Sequence, residues 1–408
     1  MADLAPFQGL RFSSRSDPGA VIAPPYDVLD DSDREGLLAR NVYNVAAIDL
    51  PVAPSVMSGG GAEPADYVSA GERLRSWIAE GVLELDEASL YVHRMDWECN
   101  GTQRSTIGVI GALALPPRRD DSSAAMPPGP EDVLPHEHTT PKASTDRLEL
   151  TRATEANLSP IWVLTPSRGF SKILEQSDEP VMDTTTADGT RQRLWVVGDD
   201  ASISAIREAL QPHPVVIADG HHRFGVALTY RDELVAAGRS LPGMERVLAL
   251  VTELEPESVE LHGIHRLVRR WPAGEDPLAT LETWFEAEAL SDDELVAPRL
   301  EHADAMALVT PTGRWLLRAH SGSNLGDFDT DRLRVALENA GVSNVEYHHS
   351  ERYVTNEVLN GHAAAAVIVR PPTITQIMAV ASGGERMPPK STFFSPKPPT
   401  GMVLRPLT

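Results

Sequence analysis

One stretch narrows the folds open to this chain more than any other: VVIADGHHRFGVALTY, from Val215 to Tyr230. An apolar run climbs to Asp219, Gly220 breaks it, and helical spacing begins at once. A buried strand that becomes a helix across one glycine is a junction of layered α/β architecture. Gly220 permits a tight turn with its amides exposed. The helix that follows offers unpaired N–H groups and the positive end of its dipole. His221, His222 and Arg223 add donors at the same end, and an arginine can grip a phosphate through two N–H groups. Two readings stand side by side. The first-turn histidines cap and meet solvent, or the junction holds an anion. A single metal shared by His221 and His222 is disfavoured, because adjacent helical side chains point about 100° apart.

Strand and helix patterns alternate on both sides of this junction, so the fold class is α+β, a mixed α/β protein. YVSAGERLRSWIAEGVL reads as a helix closed by Gly81. SLYVHRMDWE and STIGVIGALAL read as adjacent strands. A helix is expected over about Ser144 to Asn157, followed by the buried strand IWVLT. RQRLWVVGD is another strand, and DASISAIREAL a helix capped by Asp199 or Asp200. ERVLALVTEL is a strand, and GIHRLVRR, with His265 and Arg266, a strand-to-helix boundary. Gly/Pro/Ser-rich stretches at Val52 to Asp66 and Pro116 to Asp132 are expected to be loops. At 408 residues the chain is too long for one ordinary core. The expected division is an N-terminal α/β region over 1–115, a core over 131–240 and a C-terminal α/β domain over 241–408.

Three further segments carry polar groups that packing does not require. In VLPHEHT, Pro135 holds Leu134 extended, and His136, Glu137 and His138 follow. A carboxylate between two imidazoles suits a general base for an alcohol, or else a polar loop. In MPPKSTFFSPKPPTG, Lys390 and Lys397 sit among prolines beside Phe393 and Phe394. A stiff, anchored segment can hold a lysine over a phosphate, whereas a disordered tail would not need the aromatics. IAPPYDVL is a tight turn whose Tyr26 and Asp27 could line a substrate pocket, together with His136.

The totals remove several classes of function. Lys+Arg 36 against Asp+Glu 59 leaves a formal net charge of −23. A duplex nucleic-acid binder needs a basic face, so no nucleic-acid partner is expected. The lone cysteine, Cys99, allows no internal disulfide and no cysteine-rich zinc site. No apolar run approaches the roughly 20 residues that span a bilayer, and no signal-peptide core is present, so a cytoplasmic protein without a membrane partner is expected.

Taken together, IAPPYDVL, the run VLPHEHT…DR…L…RAT.AN.SPI, ADGHHR and MPPKSTFFSPKPPTG resemble the bacterial family called domain of unknown function 1015. The resemblance covers nearly the whole chain, in the family's order. More distantly, three segments are similar to the archaeal ADP-dependent free serine kinases, whose fold is shared with sulfiredoxin and the ParB nucleotide-binding domain. That resemblance implies a ParB/sulfiredoxin-like nucleotide-binding core with an N-terminal extension, and a small-molecule kinase. The donor would be ATP or ADP with Mg²⁺, and the acceptor a hydroxylated metabolite, free L-serine first. It implies that Glu137 is the base, and that Asp219, Gly220, His221, His222, Arg223 and Lys397, with Lys390 as a second lysine, serve the phosphates. Asp219 would stand beside Mg²⁺, and Asp219, His221 and Arg223 would join Glu137 in catalysis. The alternatives are a non-catalytic nucleotide-binding regulator and a nucleotide or phosphoester hydrolase. Sulfiredoxin chemistry would need a cysteine where His221 stands. The insertion between Glu137 and Asp219 departs from the kinases, and the oligomeric state, a homodimer included, is left open.

Overall fold

A computed structural model describes residues 2–51, 64–99, 101–116, 133–139, 141–255, 258–291, 296, 300, 304–322, 326 and 328–408. The two expected loop stretches fall almost wholly outside these residues, except that 64–66 open the helix Pro64–Ala79. The chain forms two compact units. The first comprises Met1–Glu260, Ala381–Glu385 and Pro396–Thr408, and the second Leu261–Val380 and Arg386–Ser395. The class is mixed α/β, with a large mixed sheet and a second, antiparallel one.

The nine-stranded sheet of the first unit runs Val133–Leu134, Val215–Asp219, Ile161–Thr165, Arg246–Glu253, Thr102–Ala114, Leu90–Cys99, Arg191–Val197, Met182–Thr185, with Leu4–Ala5 also on Thr102–Ala114. Strands from 1–115, from 131–240 and from just beyond 240 therefore share one sheet. Val215–Asp219 is parallel to Val133–Leu134 and antiparallel to Ile161–Thr165. One face buries Val163, Ile217, Val251 and Val109 against Ile203, Ile206 and Leu210 of the helix Asp200–Leu210, and against Phe224. Helix Pro64–Ala79 packs on helix Pro141–Thr154. A side chain at Gly71 would strike the Ala153 carbonyl, so the close approach requires glycine. Tyr67 adds a hydrogen bond to Asp146 at 2.7 Å.

Most sequence expectations hold for these elements. Asp199 caps its helix by accepting from the Ser202 amide, and Gly81 is left-handed at φ 71°. Two differ. The helix expected over 144–157 spans Pro141–Thr154. It stops because Glu155 turns left-handed (φ 47°) and Ala156–Asn157 pair with Arg405–Pro406. GIHRLVRR supplies the strand His265–Val268 with no helix after it, because that strand sits between two partners in a sheet.

The second unit is a six-stranded antiparallel sheet, ordered Phe285–Leu290, Gly313–Ala319, Met306–Thr310, Ala365–Ile368, His265–Val268, Val345–His348. Alternation along Met306–Thr310 sends Ala307 and Val309 toward Val354 and Val358 of helix Glu351–Leu359. It sends Met306 and Leu308 toward Leu333 and Leu337 of helix Asp329–Asn339. Among the described residues no helix is long and apolar enough to cross a membrane.

Candidate active site

The junction at Gly220 is built as its sequence suggests. Val215 to Ala218 are buried, and the ladder slips by one residue between Ile217 and Asp219. Such a bulge re-aims the side chains beyond it. Gly220 stands left-handed at φ 96°, ψ 26°, before the helix His221–Ala236. A Cβ there would lie 3.1 Å from Ile161 Cα, so both the turn and the space call for glycine. No N-cap side chain covers the helix start.

A chain of ion pairs runs from this turn. Arg223 donates from Nη2 to Asp219 Oδ2 at 2.5 Å and from Nη1 to Ser159 Oγ at 2.9 Å. Lys397 Nζ lies 2.7 Å from Asp219 Oδ1 and 2.6 Å from Asp27 Oδ2. The order is Asp27, Lys397, Asp219, Arg223, alternating in sign and mostly buried. Burial alone would raise the Asp219 carboxyl, but Lys397 and Arg223 outweigh it and hold the group well below the usual carboxylate range. Burial would lower the Lys397 ammonium, but Asp219 and Asp27 raise it above the usual lysine value. Asp219 and Lys397 are therefore both charged at neutral pH.

The C-terminal segment reaches this place through the backbone. Thr400 and Ala23 exchange hydrogen bonds at 2.8 and 3.1 Å, joining SPKPPTG to IAPPYD. Asn44, fully buried in NVYNV, donates to the carbonyls of Ala20 and Ile22 at 2.9 Å each and so fixes the start of that turn. Tyr26 is buried with its hydroxyl pushed up to about 12 by burial, and the Arg147 guanidinium lies 4.2 Å over its ring. Arg147 donates to Asp49 Oδ1 at 3.0 Å and pairs with Asp146 at 2.6 Å. Burial pushes the Asp49 carboxyl up, against the pull of Arg147 and Arg223.

The Pro-His-Glu segment meets the helix start. The His136 amide donates to His221 Nε2 at 3.4 Å, and the two rings stand edge-on at 4.7 Å. His136 is fully buried, and burial lowers its ring to about 4, so it is neutral at physiological pH. Glu137, the next residue, is half-buried, as is His222. Asp27, Tyr26, His136, Asp219, Gly220, His221, Arg223 and Lys397 are thus tied to one another by direct contacts or by chain adjacency. Lys390 lies in the second unit with a left-handed backbone (φ 63°). There Phe394 is buried and Phe393 stacks on His349 at 4.4 Å.

Two features bear on charge. Lys397 was expected to face phosphates, and it is engaged by two carboxylates. Asp219 was expected beside Mg²⁺, and each of its oxygens already receives a cation. Among the described residues no group of three His, Cys, Asp or Glu could hold a metal ion. Asp219 as arranged does not fit the ion. Sequence reading also passed over Asp49 and Ser159. Ser159 stood in the SPI of the family pattern, but nothing local announced that Arg223 would find it 64 residues away.

A family model described as protein of unknown function (DUF1015) matches residues 4–338. No curated protein matches. A free serine kinase solved with AMP is similar at 15% identity and TM-score 0.38, over 64% of this chain and 83% of that one. A free serine kinase mutant with ADP gives the same identity and TM-score, over 64% and 84%. SbnI from Staphylococcus aureus, truncated at its C-terminus, is similar at 12% identity and TM-score 0.35, over 65% and 79%.

Proposed function

The chain belongs to the DUF1015 family, and from that premise we propose that it is a small-molecule kinase. It transfers a phosphoryl group from ATP or ADP to a hydroxylated metabolite, with free L-serine the first candidate by motif resemblance. The finer fold reading, a ParB/sulfiredoxin-like nucleotide-binding core within 131–240, is part of the same proposal. One observation carries it. Lys397, Arg223 and an uncapped helix start converge on the Asp219–Gly220 turn.

Phosphoryl transfer needs positioning and charge neutralisation more than covalent help. The amides after Gly220 offer hydrogen bonds to phosphate oxygens. Asp219 orients Arg223 and Lys397 rather than gripping a metal, and its two cations keep the pocket from repelling an anion despite the acidic surface. Glu137, next to the His136–His221 contact, is placed in sequence to take the acceptor's proton.

The test is a screen of hydroxylated metabolites with ATP and with ADP, read by mass spectrometry for a phosphorylated product. Glu137→Gln should lower kcat by about 100-fold or more. Lys397→Ala should lower nucleotide affinity or turnover by about 10-fold or more, on the order of 1.4 kcal/mol. Free phosphate without phosphorylated acceptor would mean hydrolysis. A Glu137→Gln protein with unchanged activity would remove the base from the mechanism.

A further inference from the structure

Lys397 carries one carboxylate more than its charge requires. Its ammonium meets Asp219 Oδ1 at 2.7 Å and Asp27 Oδ2 at 2.6 Å, all within the first unit. Arg223 holds the other oxygen of Asp219. The node therefore joins two acidic and two basic side chains, and their formal charges cancel. A balanced node offers an arriving phosphate no net attraction. Either the second carboxylate is a structural cross-link, or it gives way.

A cross-link is not needed there. The N-terminal and C-terminal segments are already joined by backbone. Ala23 and Thr400 exchange hydrogen bonds at 3.1 and 2.8 Å, and Leu10 and Leu404 do so at 2.8 and 2.9 Å. A partly exposed ion pair adds little to such a join.

The two carboxylates are also held differently. Asp219 ends a buried strand, and its side chain, 16% exposed, has Arg223 as a second cation. The Asp27 side chain is 25% exposed, on the three-residue turn Tyr26–Val28 and next to the exposed Val28. Among the described residues Lys397 is the one hydrogen-bond partner of the Asp27 carboxylate. Lys397 itself stands between Pro396 and Pro398, whose rings stiffen the backbone on both sides. The lysine is the fixed member and Asp27 the one able to leave, since a single χ1 step swings its carboxylate outward.

We propose that Asp27 is an autoinhibitory carboxylate: it competes with a phosphate group for Lys397, and the phosphate binds at the Asp219–Gly220 turn by displacing it. The proposal rests on the phosphate reading of that turn and adds a role for the N-terminal region. With Asp27 swung out, Lys397 and Arg223 share one carboxylate, and the node holds a cation in excess beside the uncapped start of helix His221–Ala236. The apparent affinity for phosphate is then reduced in proportion to the time Asp27 occupies the lysine.

Calorimetry on the full chain, with inorganic pyrophosphate as the probe, tests this. Asp27→Asn should bind pyrophosphate about 10-fold or more tighter than the natural protein. Asp27→Ala serves the same comparison should the asparagine variant not fold, with circular dichroism and Tm reporting the fold. Adding Lys397→Ala should cancel the gain. Glu35→Gln removes an acid from the neighbouring helix Asp31–Arg40, and should change the affinity by less than about 2-fold, because exposed charges at a distance are screened. Saturable binding to the natural protein that Asp27→Asn fails to tighten overturns the autoinhibition and leaves the phosphate site standing. A gain that survives Lys397→Ala, or that Glu35→Gln reproduces, overturns it as well. No saturable binding to either the natural or the Asp27→Asn protein refutes the phosphate reading, and the autoinhibition with it.

Discussion

Lys397 and Arg405 sit eight residues apart in the same C-terminal segment, both buried, and they are neutralised in opposite ways. Lys397 is clasped by the carboxylates of Asp27 and Asp219, which raise its affinity for the proton. Arg405, 4% exposed, has no carboxylate partner among the described residues. Its guanidinium donates to the carbonyls of Gly243 and Arg246 at 2.9 and 3.0 Å, and to Asn157 at 3.2 Å. Burial, with help from Arg246, pushes it down to about 10. Neutral carbonyls suffice to tether a strand. Opposed carboxylates hold the lysine by charge. The comparison separates a cation satisfied by neutral carbonyls from one satisfied by carboxylates.

The largest test of that contrast is Lys397→Met. It leaves the buried Asp219 with one cation fewer, and should cost about 3 kcal/mol or more of unfolding free energy, measured by urea denaturation. Arg405→Met loses hydrogen bonds but also removes an uncompensated buried charge, so its cost should be smaller, about 1–2 kcal/mol. If Arg405→Met costs as much as Lys397→Met, the contrast is wrong.

The pH dependence sharpens it further. Asp219 is depressed, so its contribution is present above its ordinary 3.8 and lost as pH falls through the lower folded value. Lys397 is raised, so its contribution is complete below its ordinary 10.5 and lost only as pH rises through the higher folded value. The Lys397→Met deficit should therefore stay flat from about pH 5 to pH 9. Arg405 is lowered, so the unfolded chain holds more protons between about 10 and the ordinary 12.5, and natural-protein stability gains there. The Arg405→Met deficit should widen as pH climbs past about 9, and a deficit that narrows instead would show that the guanidinium is not the group being desolvated. The smallest effect is that of salt. Raising NaCl to about 1 M should move the Lys397→Met deficit by less than about 0.5 kcal/mol, because buried pairs are poorly screened. A larger shift would mean the node is open to solvent.

Local pattern carried much of this. VVIADGHHR announced its strand, turn and helix, since a glycine that must be left-handed between an apolar run and a helical period has few other uses. IWVLT and ERVLALVTEL were visible as continuous apolar runs because both faces of each strand are covered. What stayed hidden was long-range. No spacing shows that Lys397 lies on Asp27, 370 residues earlier, or that Asn44 fixes the turn before it. The slip of register at Asp219 is equally silent in sequence, because a bulge depends on the neighbouring strand. The buried, unpartnered Nε of Arg223 is visible only when every partner has been placed.

The bridge between Ala23 and Thr400 has a consequence in time. Synthesis is vectorial, and at about 5–20 residues per second the ribosome finishes Asp27 and Asp219 well before it reaches Lys397. During that interval the nascent chain holds two carboxylates destined for one lysine, with Arg223 pairing Asp219 alone in the chain of four. Their mutual repulsion favours an open arrangement until the lysine arrives. A polypeptide cut short before residue 397 thus lacks the one cation that Asp27 and Asp219 share, and only the later-made segment supplies it.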